Sequence, residues 1–316
     1  MVVALASASG SDRGDTMRIG IFGGDTANGP LDTIVEAARS AADAGFASFW
    51  LPQVFGVDAL TALALVGREV PRIELGTAVV PTFPRHPVVL AQQALTTQAA
   101  TGGRLALGIG LSHQVVIEGM YGYSFAKPVR HMREYLEILI PLIQTGTVSF
   151  SGETLTGRAG VEVKGAAPCP VLLAALGTKM LELAGGVADG TVTWMTGPAT
   201  IESHIVPTVT AAATQAGRSA PRVGVGLPVC LTGDVDGARE RAAKTFEIYG
   251  SLPSYRAMLD REGAAGPADV AVVGDEAAIR RQVERLDAGG ATDLVANVFG
   301  SRDERARTTA LLQSLL

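Results

Sequence analysis

Gly102-Gly-Arg-Leu-Ala-Leu-Gly-Ile-Gly-Leu-Ser-His113 carries the clearest sign of architecture in this chain. An apolar run, Leu105 to Ile109, breaks into Gly-x-Gly and then presents a polar pair, Ser112 and His113. A buried strand that ends in glycine and hands over to polar side chains has the form of the carboxyl end of a parallel barrel strand, where enzymes of that architecture build their sites. Read alone, the segment fits equally well a buried strand, an ordinary glycine turn and a surface histidine. The same ending recurs along the chain, so all the endings have to be read together.

Working outward, strand and helix signals alternate from Met17 to the end. Arg18 to Phe22 reads as a short apolar strand, and Leu31 to Ala44 as a helix with Asp32 near its start and Gly45 as its stop. Ala47 to Leu51 is the second strand, Val57 to Val70 the second helix, and Ile73 to Val80 the third strand, closed by Pro81. The turn Pro84-Arg-His-Pro87 opens a helix to about Ala100. After the fourth strand the helix comes late, at roughly Val129 to Gln144, which leaves 111 to 128 as a long loop. Thr147 to Lys164 reads as an insertion, a hairpin turning at Ser151-Gly152. Val171 to Ala175, Thr191 to Trp194 and Val223 to Leu231 are strands five to seven, each followed by a helical stretch. Helix Glu276 to Ala288, strand Asp293 to Val298 and a helix from about Arg302 complete eight units. Eight β-α units in about 300 residues predict an α/β fold, a (β/α)8 TIM barrel with an insertion after helix 4. Gly20-Ile-Phe-Gly23-Gly24 lacks the GxGxxG spacing, which removes the main support for an open dinucleotide-binding sheet.

Composition narrows the function. The 316 residues are 47% hydrophobic and 18% charged, with a net charge of −5, enough for a large core and without a basic face for nucleic acid or a membrane surface. The expected partner is a small molecule. Cys169 and Cys230 form no CxxC or Cys/His cluster, so neither a disulfide framework nor a metal site is indicated, and a cytoplasmic setting fits. Residues 1 to 16 read as a flexible tail before a single domain, 17 to 316, with Met17 as the native start. No stretch approaches the ~20 apolar residues that span a bilayer. Arginine far outnumbers lysine, which occurs only at 127, 164, 179 and 244, as in a chain from a high-GC genome.

In a barrel the site is assembled from the carboxyl ends of the strands. Those ends offer Phe22-Gly23-Gly24, Gln53, Ala78 to Thr82, Gly110 to His113, Ala174 to Thr178, Trp194 to Thr196, Thr232-Gly233 and Asn297 to Phe299. They contain no carboxylate pair, lysine base, metal constellation or Ser-His-Asp set, which argues against a glycosidase, an aldolase or a metallohydrolase. A mouth of glycines, amides, hydroxyls and aromatics suits an organic cofactor that brings its own reactivity. Ala175, Leu176, Gly177 and Thr178 lead into a helix whose free N–H groups would take a phosphate, the alternative being a plain threonine cap. Arg85-His86 could meet an acidic ligand tail or be a solvated turn. His131 and His204 read as surface or packing residues. Trp194 reads equally as core and as cofactor wall. His113 is the one side chain at these ends that titrates near neutrality, a candidate proton relay, with Gln53 and Ser112 as polar positioning groups.

At these strand ends the chain resembles the luciferase-like superfamily of flavin- or deazaflavin-dependent monooxygenases and reductases, especially its coenzyme F420-dependent branch. The carriers are Ala44-Gly-Phe-Ala-Ser-Phe-Trp50-Leu, Leu75-Gly-Thr-Ala-Val-Val-Pro81, Gly103-Arg-Leu-Ala-Leu-Gly-Ile-Gly110, and Leu183-Ala-Gly-Gly-Val-Ala-Asp-Gly190 with Val273-Gly-Asp275. The resemblance runs from Met17 to Phe299. It implies a dimeric barrel holding the deazaflavin, or FMN, across its mouth, backed by a strand-three bulge with a non-prolyl cis peptide that matches Ala78-Val79. It also places the cofactor phosphate at Gly177 and Thr178, with Gly110, Ser112 and Trp194 against the cofactor. Two departures stand out: Gln53-Val54 where several deazaflavin enzymes carry an acidic residue and a histidine, and His113 where sugar-phosphate dehydrogenases of the branch place a catalytic glutamate. The implied activity is hydride transfer between the deazaflavin and a small organic substrate. An FMN-dependent monooxygenase served by a separate reductase is the alternative, and a non-catalytic flavin-binding relative the third. The arginine-rich composition fits actinobacteria, where this deazaflavin is common.

Overall fold

Met17 is buried, and the first strand follows it directly. The computed structural model describes residues 16–316, so the expected tail lies, but for Thr16, outside the described residues. In chain order the strands are β1 (Arg18–Phe22), β2 (Ser48–Leu51), β3 (Glu74–Thr77), β4 (Val80–Pro81), β5 (Leu105–Gly110), β6 (Thr147–Ser151), β7 (Thr156–Gly160), β8 (Val171–Leu173), β9 (Gly190–Trp194), β10 (Arg222–Leu231), β11 (Val272–Gly274) and β12 (Asp293–Val298). Pairing runs β10-β12-β1-β2-β3-β5-β8-β9 and returns to β10, all parallel. This is a closed eight-stranded barrel with helices between the strands, as the alternation of signals predicts. β6 and β7 form the expected antiparallel hairpin, outside the ring. β11 extends the end of β10 and had no counterpart in the sequence reading.

The barrel interior is filled by side chains. Trp50, Ala106, Leu172, Val192 and Val295 form a cluster of their own inside the ring, and Phe22, Ala78 and Val79 pack on it. Trp50 lies opposite Phe22 and Gly76 in the register, and a Cβ at Gly76 would run into the indole. Below Trp50, at the amino ends of the strands, the Arg222 guanidinium sits 5.2 Å from the ring centroid. Arg222 donates to both carboxylate oxygens of Asp293, at 2.8 and 2.7 Å, and to Glu74 at 2.5 Å, and Arg18 donates to the same Asp293 at 2.5 Å. Burial alone pushes the Asp293 carboxyl up, but the hydrogen bonds and charge of Arg222, with Arg18, outweigh it and hold the group below the ordinary range.

Strand three departs from the expected continuous run, Ile73 to Val80. It breaks after Thr77 and resumes at Val80, and the Ala78-Val79 peptide between is cis, at the position the resemblance implies. Across the gap the Thr77 hydroxyl replaces the ladder, donating to the Gly108 carbonyl at 2.8 Å and accepting from the Gly108 N–H at 2.9 Å.

On the outside, Glu134 of the helix Pro128–Thr145 clasps the hairpin turn. Its carboxylate accepts from the N–H groups of Glu153, Thr154 and Leu155 at 2.7 to 2.9 Å and from the Thr154 hydroxyl at 2.7 Å. These bonds outweigh the upward push of burial and bring its pKa down to about 2.

Candidate active site

The Gly-x-Gly of β5 is not a turn. Both glycines lie inside the strand, and their missing side chains make the floor on which the Ala78-Val79 bulge rests. A Cβ at Gly108 would run into the Thr77 carbonyl oxygen, and one at Gly110 would come within 2.8 Å of a Val79 methyl and 3.1 Å of Ala174. Ala78, Val79 and Gly110 are therefore brought together, at the top of the barrel interior.

The strand then turns through Ser112, whose φ of 61° is left-handed, into His113. Met195, directly after Trp194, also has a left-handed φ, 52°. Such a conformation costs a non-glycine residue roughly 1–2 kcal/mol, and here it re-aims the chain at two strand ends of the mouth. His113 starts the short helix Gln114–Gly119, which lies in the expected long loop, and its imidazole does not cap it. The ring is half-buried and tilts against Tyr255 at 5.8 Å. Burial lowers the His113 pKa, so the imidazole is neutral at pH 7.

Tyr255 continues a row of aromatics across the mouth. It meets Tyr249 edge-on at 4.9 Å, Tyr249 meets Trp194 at 6.1 Å, and Trp194 stacks on Phe22 at 5.2 Å. Trp194 is thus at once the uppermost layer of the barrel interior and a wall of the mouth. Its Nε1–H is buried and makes no well-formed hydrogen bond among the described residues, although the Tyr249 hydroxyl lies close enough to feel it. A buried donor left unpaired costs about 1–3 kcal/mol, and such a group at a mouth points to a ligand that completes it. Burial pushes the Tyr255 and Tyr249 hydroxyls up, so both stay protonated donors.

Gln53 carries more structural duty than the sequence suggests. Its carbonyl accepts from Ala59 N at 2.9 Å and its amide reaches Asp58 at 3.4 Å, at the start of the helix Ala59–Glu69. Asp58 caps that helix and pairs with Arg85. Gln53, Pro81, Pro84, Arg85 and Tyr121 line a cleft of about 160 Å³. Arg85 of the Arg85-His86 pair therefore faces the mouth with its charge compensated. His86 instead caps the helix Pro87–Ala100, accepting from Val88 N, and its other ring nitrogen lies 3.0 Å from the Thr156 carbonyl.

On the other side of the ring, β8 leads into the helix Thr178–Gly186. Gly177, not Thr178, is the cap, and no side chain closes the helix start. A plain threonine cap is thereby set aside. The N–H groups of Thr178 and Lys179 have no intrahelical partner. A Cβ at Gly177 would meet nothing within 4 Å, and Gly177, Thr178 and Lys179 are exposed, so the helix start is open. Ala175 is buried beneath, and the Leu176 carbonyl is held by His204 Nε2 at 2.8 Å. Among the described residues no cluster of three or more His, Cys, Asp and Glu gathers to hold a metal ion.

A family model described as luciferase-like monooxygenase matches residues 16–302. The chain belongs to this family. A Mycobacterium tuberculosis protein named as a coenzyme F420-dependent oxidoreductase is 34% identical over 189 residues, covering 55% of this chain and 54% of that protein, about half its length. The fold matches the coenzyme F420 dependent tetrahydromethanopterin reductase of Methanopyrus kandleri with a TM-score of 0.78 at 22% identity, over 95% of this chain and 98% of that one. It also matches the oxygenating constituent of 3,6-diketocamphane monooxygenase of Pseudomonas putida, in complex with FMN, with a TM-score of 0.73 at 16% identity, over 94% and 96% of the two chains. Membership places this luciferase-like chain among oxidoreductases.

The sequence reading of this luciferase-like mouth missed Tyr249, Tyr255 and the Asp58–Arg85 pair. The tyrosines sit on the short helices Glu247–Ser251 and Pro253–Glu262, beyond the end of β10. A usable signal was there: in a chain only 5% aromatic, two tyrosines six residues apart flank Pro253, a helix-starting residue. His131 is a packing residue. It stacks on Phe83 at 3.9 Å, and burial, partly offset by the Glu134 charge, takes its pKa down to about 4.

Proposed function

We propose that this luciferase-like protein is a coenzyme F420-dependent oxidoreductase, passing a hydride between the deazaflavin and a small organic substrate, and that it works as a cytoplasmic homodimer. The observation that carries the reading is the Trp194 N–H, buried and short of a well-formed hydrogen bond where Trp194 stacks on Phe22, with the Ala78-Val79 shelf on the same inner cluster as Phe22 and an open helix start at Thr178. An apolar shelf, a poorly paired donor and an anion cradle suit a planar ring with a phosphate-bearing side chain. When bound, the deazaflavin supplies the hydride donor or acceptor.

The chain's own residues then have four tasks. Ala78 and Val79 back the ring over Gly110. The N–H groups of Thr178 and Lys179, aided by the helix dipole, hold the phosphate. Trp194, Tyr249 and Tyr255 exclude water. His113, kept neutral, accepts or relays the proton at a free ring nitrogen, with Ser112 and Gln53 ordering the polar edge.

The name of the mycobacterial relative supports the deazaflavin. An FMN-dependent monooxygenase is the second reading, favoured by the phosphate cradle, which would serve FMN equally well. The test is a parallel titration of the purified protein with the deazaflavin and with FMN. Micromolar binding of the deazaflavin and weak binding of FMN is the expected result, and the reverse order overturns it. Binding without turnover over a broad substrate panel would favour a non-catalytic flavin carrier.

A further inference from the structure

Six of the eleven exposed large apolar side chains among the described residues fall in two segments that follow barrel strands. Val54 and Phe55 follow β2, and Val115, Met120, Tyr121 and Tyr123 follow β5. Phe55 and Tyr121 lie 6.4 Å apart, Tyr121 and Tyr123 a further 6.4 Å. Soluble proteins rarely gather such side chains in one place without use for them. This group is continuous with the mouth, since Tyr121 also lines the cleft with Gln53 and Arg85, and the loop that carries it begins at His113.

Charge at this rim is compensated throughout. Arg85 is paired with Asp58, and Lys127 and Arg130 with Glu153. Glu118 accepts from Gln114 Nε2 at 2.9 Å and from Phe125 N at 3.1 Å. A phosphorylated or carboxylated substrate would find, among these described rim residues, only cations already paired, and desolvating its charge would cost far more than the rim returns. An uncharged carbon skeleton would bury itself against Phe55 and Tyr121 at about 25 cal/mol per Å² of apolar surface.

We infer that the substrate is an uncharged, lipophilic organic molecule gripped at the rim by Phe55 and Tyr121, which set specificity for its carbon skeleton. The inference rests on the proposed hydride-transfer site for the identity of the mouth, and its test does not depend on turnover.

Binding of 2-nonanone, as a neutral probe, and of glucose 6-phosphate, as a charged one, is measured by isothermal titration with and without the deazaflavin. The variants Phe55→Ser, Tyr121→Ser and Tyr121→Phe are compared with the wild type. The ketone is expected to bind below about 1 mM, 5-fold or more weaker in either serine variant and restored in Tyr121→Phe. Deazaflavin affinity, thermal midpoint and oligomeric mass are expected to be unchanged, since both side chains are exposed. Three results overturn the inference: a charged probe binding better than the neutral one, ketone affinity unmoved in both serine variants, or a shift of mass from dimer to monomer at unchanged ketone affinity, which would make the patch a subunit contact. Failure of deazaflavin binding with the ketone pattern intact removes the proposed cofactor and leaves this inference standing.

Discussion

At the amino ends of the strands Asp293 is 1% exposed and every one of its charges is answered, by Arg222, Arg18 and the Thr292 hydroxyl. At the carboxyl ends the Trp194 N–H is just as hidden from water and finds no well-formed hydrogen bond, only the nearby Tyr249 hydroxyl. The same eight strands carry both ends, so the difference belongs to what each end is for. The lower end is complete in itself and stabilises the ring. On the proposed reading the upper end is left incomplete for a ligand to finish. A substitution should therefore move stability at one end and binding or chemistry at the other, with little exchange between the two.

The largest expected effect is at the lower end. Asp293→Ala leaves Arg222 buried without its main partner, and loss of one member of a buried pair costs about 3–5 kcal/mol. In a chain of this size that is a fall in thermal midpoint of roughly 5–8 °C, read by calorimetry. A loss of only a degree or two would show that the lower end does not carry the ring. Next comes His113→Gln, which keeps size and hydrogen bonding but cannot titrate. The chemical step should slow by about 10²-fold in single-turnover kinetics, with midpoint and cofactor affinity near wild type. A wild-type rate would make His113 a positioning group. Gly177→Asp sets a carboxylate before the open helix start and should weaken cofactor binding by about 10-fold, about 1.4 kcal/mol, in a protein that melts at the wild-type temperature. Unchanged affinity would remove the phosphate from that helix.

The smallest effect blurs the division and so sharpens it. His131, stacked on Phe83 near the upper end, has its pKa lowered to about 4 in the folded chain, from about 6.5 unfolded. The unfolded chain takes up this proton first as pH falls, so stability is full above about 6.5 and declines toward about 4. Between pH 6.5 and 5.5 the loss from this group is about 1 kcal/mol. Urea midpoints of the wild type should fall over that interval more than those of His131→Gln, and parallel curves would show that the ring titrates normally.

Much of the fold could be read directly from the residues. Leu105 to Ile109, Asp293 to Val298 and Thr191 to Trp194 are apolar enough, and short enough between helical stretches, to count as barrel strands. The break after Thr77 could not be seen by periodicity, because Ala78 and Val79 are as apolar as the strand around them; it came from the resemblance. In the sequence Gly108 and Gly110 mark the strand's carboxyl end, but nothing there says that they continue the strand. Their role appears only when the neighbouring strand is laid against them. His113, Trp194 and Gly177 could be placed at the mouth because strand ends can be counted in order. Tyr249 and Tyr255 were not, because they come from helices beyond β10, and nothing local says that a surface-spaced tyrosine folds back over the mouth. Gln53 shows the converse: its polar type was legible, its commitment to the Ala59 N–H was not.

The pairing of β1 with β12 has a consequence for how the molecule comes into being. Arg18 and Asp293, which meet across that seam, are 275 residues apart in the chain. A ribosome delivers the first seven strands before the eighth exists, and until then β1 and β10 present bare edges and Arg222 has no aspartate to hold. Long-range closure of this kind is slow and leaves edges open to wrong partners while it waits. The seam is thus a checkpoint on assembly: the nascent chain cannot settle its lower end until the strand that carries Asp293 has been made.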